Sequence, residues 1–226
     1  MYDLCLFDLD GTLSDPKLGI TKSFQYALAE FGILKELVDL ERFIGPPLRE
    51  SFRDLIGFSE ADTEKAVSLF RMYYAEDGFF ENSVYPGIPE TLQDLKNGGK
   101  TLAVATNKAK YYADKVIEHF GLDRFFSFVS GDEMDGSLTK DGKREIIRIA
   151  LDTLDPERNK HAVMIGDRMH DITGAKENGI DTIGVTWGYG SRAELEEAGA
   201  QQIIDTTEGL RRFLLESKRE RPTDNH

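Results

Sequence analysis

Asp8 and Asp10 stand two residues apart at the end of an apolar run, LCLF, and Gly11, Thr12 and Leu13 follow them. Two carboxylates at that spacing repel each other when both are ionised, so a neighbouring cation has to offset the repulsion. Comparable residues end other apolar runs. Thr106 and Asn107 follow TLAVA, Lys143 leads into the apolar register of REIIRIAL, and Asp167 and Asp171 lie four apart in GDRMHD. Crowded carboxylates favour a hard divalent cation, and Mg2+ takes oxygen ligands from one or two protein carboxylates while keeping waters. Thr106, Asn107 and Lys143 have the opposite preference. A hydroxyl, backbone N–H groups at a helix start and an ammonium form a cradle for phosphate. A dication, a phosphate cradle and a free carboxylate are together the parts of phosphoryl-transfer chemistry.

Those residues need a scaffold that brings strand ends together. Apolar runs over 2–8, 101–106, 125–131, 161–167, 181–188 and 201–205 read as strands. Helical patterns lie between them, over 109–119, 143–154, from 167 to about 178, in SRAELEEAG, and over 207–217. Strands alternating with helices predict an α/β fold with a doubly wound parallel sheet, whose strands are buried on both faces and whose ligands gather at the carboxyl ends. Residues 17–77 break the rhythm. Ile20, Phe24, Ala27, Leu28 and Phe31 mark one helix face, closed by Gly32. Leu48, Phe52, Leu55 and Ile56 mark a second, opened by Pro46 and Pro47. Ala66, Leu69, Phe70 and Tyr73 mark a third. The expected organisation is therefore a core of 1–14 and 84–226 with an all-α helical cap, 15–83, inserted after the first strand. Arg49 flanks the Leu48/Phe52 stripe; a solvated helix face accounts for it, and so does a contact to a substrate anion.

The chain has 226 residues, 40% of them hydrophobic, and a net charge of −13, which argues against a nucleic-acid or anionic-membrane surface. Cys5 is the one cysteine, so no intrachain disulfide forms, which fits a reducing cytosol. The sequence shows no leader pattern and no apolar stretch approaching 18 residues. The expectation is a cytoplasmic protein, a monomer by default, with a small phosphorylated metabolite as its partner. His119, His161, His170 and His226 lack metal-ligand spacing, and His170 reads as solvent-facing. Trp187 and Tyr189 read as packing residues before entrance-lining ones, and 218–226 reads as a frayed, charged tail.

DLDGTL (8–13), ATNK (105–108), a lysine before a helix, and GDRMHD (166–171) resemble, in order and spacing, the four motifs of the haloacid dehalogenase superfamily. MIGDRMHDITGAKENGI and TIGVTWGYGS resemble its phosphoglycolate-phosphatase-like branch, and the resemblance spans nearly the whole chain. It implies a Mg2+-dependent phosphatase of a small phosphomonoester. Asp8 is then the nucleophile that forms an aspartyl-phosphate. Asp10 protonates the leaving oxygen and afterwards takes a proton from the attacking water. Gly11 and Thr12 let the backbone turn sharply, with Gly11 close to the phosphate. Thr106, Asn107 and Lys143 hold the phosphoryl oxygens. Asp8, the Asp10 backbone carbonyl and Asp167 ligate the metal, and Asp171 ligates it or orients its waters.

LTKDGKREII offers two lysines for the third motif. Asp141 can cap the following helix, which places Lys143 in its first turn and makes it a better fit than Lys140. A phosphosugar mutase of the same superfamily is the nearest rival. A dehalogenase lacks the second acid, and a phosphonate hydrolase needs a Schiff-base lysine that none of Lys17, Lys22 or Lys35 is marked out to supply. A phospho-accepting receiver is about half this length, and a non-catalytic regulatory relative is the remaining alternative. The motifs touch only the phosphoryl group, so phosphoglycolate, nucleoside monophosphates and sugar phosphates all fit.

Overall fold

The computed structural model describes residues 2–140 and 142–216. Six strands form a parallel sheet. They are β1 (Leu4–Phe7), β4 (Thr101–Ala109), β5 (Phe128–Asp132), β6 (Ala162–Gly166), β7 (Asp181–Val185) and β8 (Gln202–Ile204), in the order β5-β4-β1-β6-β7-β8. β1 lies between β4 and β6, with Phe7 level with Val104 on one side and Ile165 on the other. The chain leaves β1 in both directions across the sheet, so its carboxyl end sits at the topological switch point where ligands collect in such folds. Asp8 is the first residue past that end.

Alternation along the strands divides the core in two. Cys5, Phe7, Val104 and Ile165 face one side, packed with helices α4 (Ile88–Asn97), α5 (Lys110–His119) and α9 (Thr207–Glu216). Leu4, Leu6, Ala103, Ala105 and Met164 face the other, under α6 (Arg144–Leu154) and α7 (Met169–Glu177). Both faces are dry, which is why these strands read as unbroken apolar runs. Helix α8 (Arg192–Ala198) is capped at its start by Ser191, whose hydroxyl accepts from the Glu194 N–H at 3.0 Å.

Between β1 and α4 the chain is helical, apart from a narrow ribbon. β2 (Ser14–Asp15) and β3 (Ser83–Val84) pair antiparallel, Ser14 with Val84 and Asp15 with Ser83. The helices lying between them are α1 (Lys17–Ala29), α2 (Leu48–Glu50) and α3 (Glu60–Tyr73), with a 3-10 segment over Leu37–Phe43. They enclose a third apolar cluster centred on Phe24, whose ring lies 4.9–5.0 Å from those of Phe43, Phe52 and Phe70. Tyr112 of α5 joins this cluster and ties it to the sheet domain.

The second and third helices depart from the expected faces. The stretch opened by Pro46 and Pro47 makes only one α turn and passes into a π turn, Ser51–Leu55. A π turn carries an extra residue, which rotates the following positions off the α-helical stripe, so Phe52 is buried while Leu55 is 46% exposed. α3 buries Thr63, Ala66, Val67 and Phe70, leaving Leu69 and Tyr73 half-buried at its margin. A second π turn, Tyr74–Gly78, follows it and buries Tyr74 instead. No described helix is long and apolar enough to cross a membrane.

Candidate active site

The chain turns sharply past β1. The N–H groups of Leu13 and Ser14 both return to the Leu9 carbonyl, at 2.9 and 3.0 Å, and Gly11 N–H reaches the Ser14 carbonyl at 2.8 Å. Gly11 holds φ at +92°, and a Cβ there would run into the Asp167 carboxylate, so the turn needs glycine on both counts. Asp8 and Asp10 are thereby presented at the sheet's carboxyl edge, 4% and 7% exposed.

Under Asp8 lies a sealed group of charges. Carboxylate oxygens of Asp8, Asp167 and Asp171 all come within 4.8 Å of one another. Lys143 Nζ lies 2.7 Å from Asp8 Oδ1 and is ion-paired with Asp171 as well. Thr12 Oγ1 donates to Asp167 Oδ1 at 3.3 Å, and the Tyr189 N–H donates to Oδ2 at 2.8 Å. The Arg168 N–H holds Asp171 Oδ2 at 3.0 Å. These contacts do not balance the negative charge. Burial, then Asp8 and Asp171, pushes the Asp167 carboxyl well above its ordinary range. Burial pushes Asp171 up to about 6 even against the pull of Lys143. Buried carboxylates that resist ionisation by themselves are suited to a dication, and the all-oxygen set fits Mg2+.

Lys143 occupies the N-cap of α6, one residue ahead of the first turn in which it was expected. Asp141, the expected cap, lies outside the described residues. Lys140 is exposed and has no ion pair with Asp8, so the geometry separates the two lysines.

Above Asp8 a cavity opens between the sheet edge and the helical insert, about 860 Å³ counting the part open to solvent. Asp8, Asp10, Thr106, Asn107 and Lys108 form its floor. The pairing of β4 with β5 shifts register between Thr106 and Ala109, and this irregularity turns Asn107 and Lys108 towards the cavity. Asn107 Nδ2 donates to the Gly45 carbonyl at 3.1 Å, while its Oδ1 is buried without a partner among the described residues. Asp10 is not one of the three carboxylates that converge. Its Oδ2 accepts from Lys108 Nζ at 2.6 Å, and its Oδ1 is buried without a partner among the described residues. Burial raises the Asp10 carboxyl, opposed by Lys108. Burial by itself would lower the Lys108 ammonium, but Asp10 and Tyr74 together outweigh it and the net shift is upward.

The insert supplies the cavity's roof: Phe24, Phe43, Phe70 and Tyr74 with two arginines, Arg49 and Arg71. Arg49 is already engaged, by the Glu64 carboxylate and by the Asp135 carbonyl at 2.8 Å. Arg71 has no hydrogen bond or ion pair with the described residues, and burial followed by Arg49 lowers its guanidinium from the ordinary value. Arg71 and Lys108 were not singled out from the sequence. Lys108 stands inside the ATNK motif, and its neighbours there were the signal; Arg71 lies on an ordinary amphipathic helix and gave none.

One reading of an individual residue changes and another is extended. His170 is half-buried instead of solvent-facing, and burial, then Arg168, lowers its imidazole. Trp187 and Tyr189 do pack, and they also brace the site. Trp187 Nε1 donates to the Thr12 carbonyl at 3.1 Å, and the Tyr189 hydroxyl donates to Asp15 at the ribbon.

The family model for haloacid dehalogenase-like hydrolases matches residues 5–185, a span that holds Asp8, Asp10, Thr106, Asn107, Lys143, Asp167 and Asp171. The chain belongs to that family. It is 48% identical over 214 residues to the "5'-nucleotidase" of Pseudomonas aeruginosa, covering 94% of this chain and 96% of the relative. It is 41% identical over 202 residues to "Tyrosine-protein kinase PtkA" of Mycobacterium tuberculosis, covering 89% of this chain and 67% of the relative. Among solved structures, "a predicted phosphatase from Clostridium acetobutylicum" superposes with a TM-score of 0.91 at 42% identity, covering 96% of this chain and all of the other. The family match runs from β1 through β7 and takes in the helical insert.

Proposed function

We propose that this protein is a Mg2+-dependent phosphatase of small phosphomonoesters that works through an aspartyl-phosphate on Asp8, with residues 15–83 acting as a cap over the site. The observation that carries the reading is the position of Asp8. One side of it meets the buried Asp167, Asp171 and Lys143, and the other opens on a cavity floored by Asp10, Thr106 and Asn107. Asp8, Asp167 and Asp171, with the Asp10 backbone carbonyl, are the residues that would hold Mg2+. When bound, the metal neutralises charge on the phosphoryl oxygens and on these carboxylates.

The chain's own residues do the rest. Asp8 attacks phosphorus in line with the ester oxygen. Thr106 Oγ1, Asn107 and Lys143 hold the equatorial oxygens where charge gathers in the transition state. Asp10, whose raised carboxyl suits a general acid, protonates the leaving oxygen and then deprotonates the water that hydrolyses the acyl phosphate. The aromatic roof and the relative named a 5'-nucleotidase favour a nucleoside monophosphate over phosphoglycolate or a sugar phosphate.

Release of inorganic phosphate from a panel of nucleoside, sugar and short carboxylated phosphate esters, with and without Mg2+, tests the proposal. Hydrolysis that needs Mg2+ and falls about 10³-fold or more in Asp8→Asn is expected. Wild-type rate in Asp8→Asn removes Asp8 from the mechanism. Isomerised phosphosugar in place of free phosphate would make the protein a mutase.

A further inference from the structure

Lys108 is not needed by the proposed mechanism, yet it is buried at the floor of the cavity against the acid that the mechanism does need. Its Nζ donates to Asp10 Oδ2 at 2.6 Å, and the two side chains are 8% and 10% exposed. The register shift in β4 aims it there, and the Tyr74 ring covers it from the insert, 4.8 Å from Nζ to the ring centroid. Tyr74 opens the π turn at the end of α3 and is 3% exposed. Lys108 is thus held between a carboxylate of the sheet edge and an aromatic face of the helical insert, where desolvation strengthens both contacts.

We infer, on the phosphatase reading above, that Lys108 is the positioning residue for Asp10, and that Asp10 Oδ1 is the oxygen that hands its proton to the leaving group. An ammonium has three N–H donors and no acceptor. While Oδ2 accepts from it, the proton of a neutral Asp10 belongs on Oδ1. That atom is buried, lacks a partner among the described residues, and belongs to a residue lining the cavity beside Asp8. In the first step an Asp8 oxygen bonds to phosphorus as the ester P–O bond breaks. The electrons of that bond go to the leaving oxygen, which takes the Oδ1 proton. The products are the aspartyl-phosphate, a neutral alcohol and an Asp10 carboxylate whose new charge lies against Lys108. The ion pair therefore strengthens as the proton leaves, a contact made better in the transition state than before it.

Leaving-group dependence reads this out directly. Phenyl phosphate and 4-nitrophenyl phosphate are close in shape, but only the first needs a proton on its departing oxygen. Their kcat/KM values, measured with Mg2+, cover the chemistry up to departure. Lys108→Met is expected to lower kcat/KM for phenyl phosphate about 100-fold and for 4-nitrophenyl phosphate by less than about threefold. Tyr74→Ala gives a smaller loss with the same selectivity, and Tyr74→Phe, which keeps the ring, recovers most of it. Equal losses on both esters, or a loss on neither, overturn the inference. If a thermal melt shows Lys108→Met to be unfolded, Tyr74→Ala and Tyr74→Phe decide it alone. Asp10→Asn separates the two levels of reading. Selective loss there without selective loss in the Lys108 and Tyr74 variants leaves the phosphatase standing and removes the role of Lys108. A wild-type protein that hydrolyses neither ester removes both.

Discussion

The Lys143 ammonium lies 2.7 Å from Asp8 Oδ1 at the C-terminal edge of the sheet, with Asp171 paired on its other side. One cation thus serves two buried carboxylates. Lys143→Met strands both. Breaking a buried pair from one side costs about 3–5 kcal/mol, so the melting temperature of the metal-free variant should fall by roughly 6–20 °C. Mg2+ should recover part of that loss. Melts of wild type and variant that coincide without Mg2+ would show that Lys143 does not hold this charge.

Stability of the metal-free protein should depend on pH in a definite direction. Asp171 is pushed up to about 6, and Asp167 is also raised. An unfolded aspartate titrates near 3.9, so the native state binds protons more tightly than the unfolded one. The stabilisation from Asp171 is complete below about pH 4 and is lost as pH rises through about 6, and Asp167 acts in the same direction. Mg2+ competes with those protons. Its stabilising effect, about 5–10 °C at roughly a hundred times its dissociation constant, should be larger at pH 7.5 than at pH 5. A Mg2+ shift in Tm that is the same at both values argues against these carboxylates as ligands.

Arg71 lines the cavity without an ion pair among the described residues, while Arg49 beside it is engaged by Glu64. A substrate with a second anionic group would find its partner in Arg71. Arg71→Gln should raise KM about 10–100-fold for esters carrying a carboxylate or a second phosphate, since a charged hydrogen bond contributes roughly 1.5–3 kcal/mol. It should leave 4-nitrophenyl phosphate unchanged. Equal effects on the two kinds of ester would mean that Arg71 shapes the roof without reading the substrate.

Gly45 holds φ at +102°, and a Cβ there would sit 2.8 Å from Arg168 Cγ. Its carbonyl accepts from Asn107, and that of Ile44 accepts from Arg168. Gly45→Ala should lift this loop off both donors, lowering stability by about 1–3 kcal/mol and raising KM for any ester that contacts the roof. A crystal structure of the variant with the Asn107 contact intact would contradict this.

Much of this site was legible because its chemistry is concentrated at strand ends. Asp8, Asp10, Thr106, Asn107 and Asp167 each close an apolar run, and a parallel sheet leaves such residues in one place. Lys143 could be favoured over Lys140 because it leads into the buried face of α6. The insert was less legible. Its helices were evident, but the two π turns were not, since nothing in SFRDL or YAEDG marks an extra residue per turn; Leu55, expected on a buried face, is exposed, and Tyr74 is buried where Tyr73 was expected. The pairing of Ser14–Asp15 with Ser83–Val84 was hidden because two-residue strands have no periodicity to read. Lys108 and Arg71 depend on a register shift and on a tertiary contact, and neither is a local property of the chain.

The helices depart and return through the paired β2 and β3, so the neck joining them to the sheet is only one strand spacing wide, about 5 Å. The neck alone sets no limit on the length of what lies beyond, whereas Tyr112 and the Asn107–Gly45 and Arg168–Ile44 hydrogen bonds tie the present excursion to the sheet edge. Another excursion would leave in place the contacts among Asp8, Lys143, Asp167 and Asp171, which lie within the sheet domain, and would have to remake those ties. Selectivity in such a molecule can drift quickly while the reaction stays fixed.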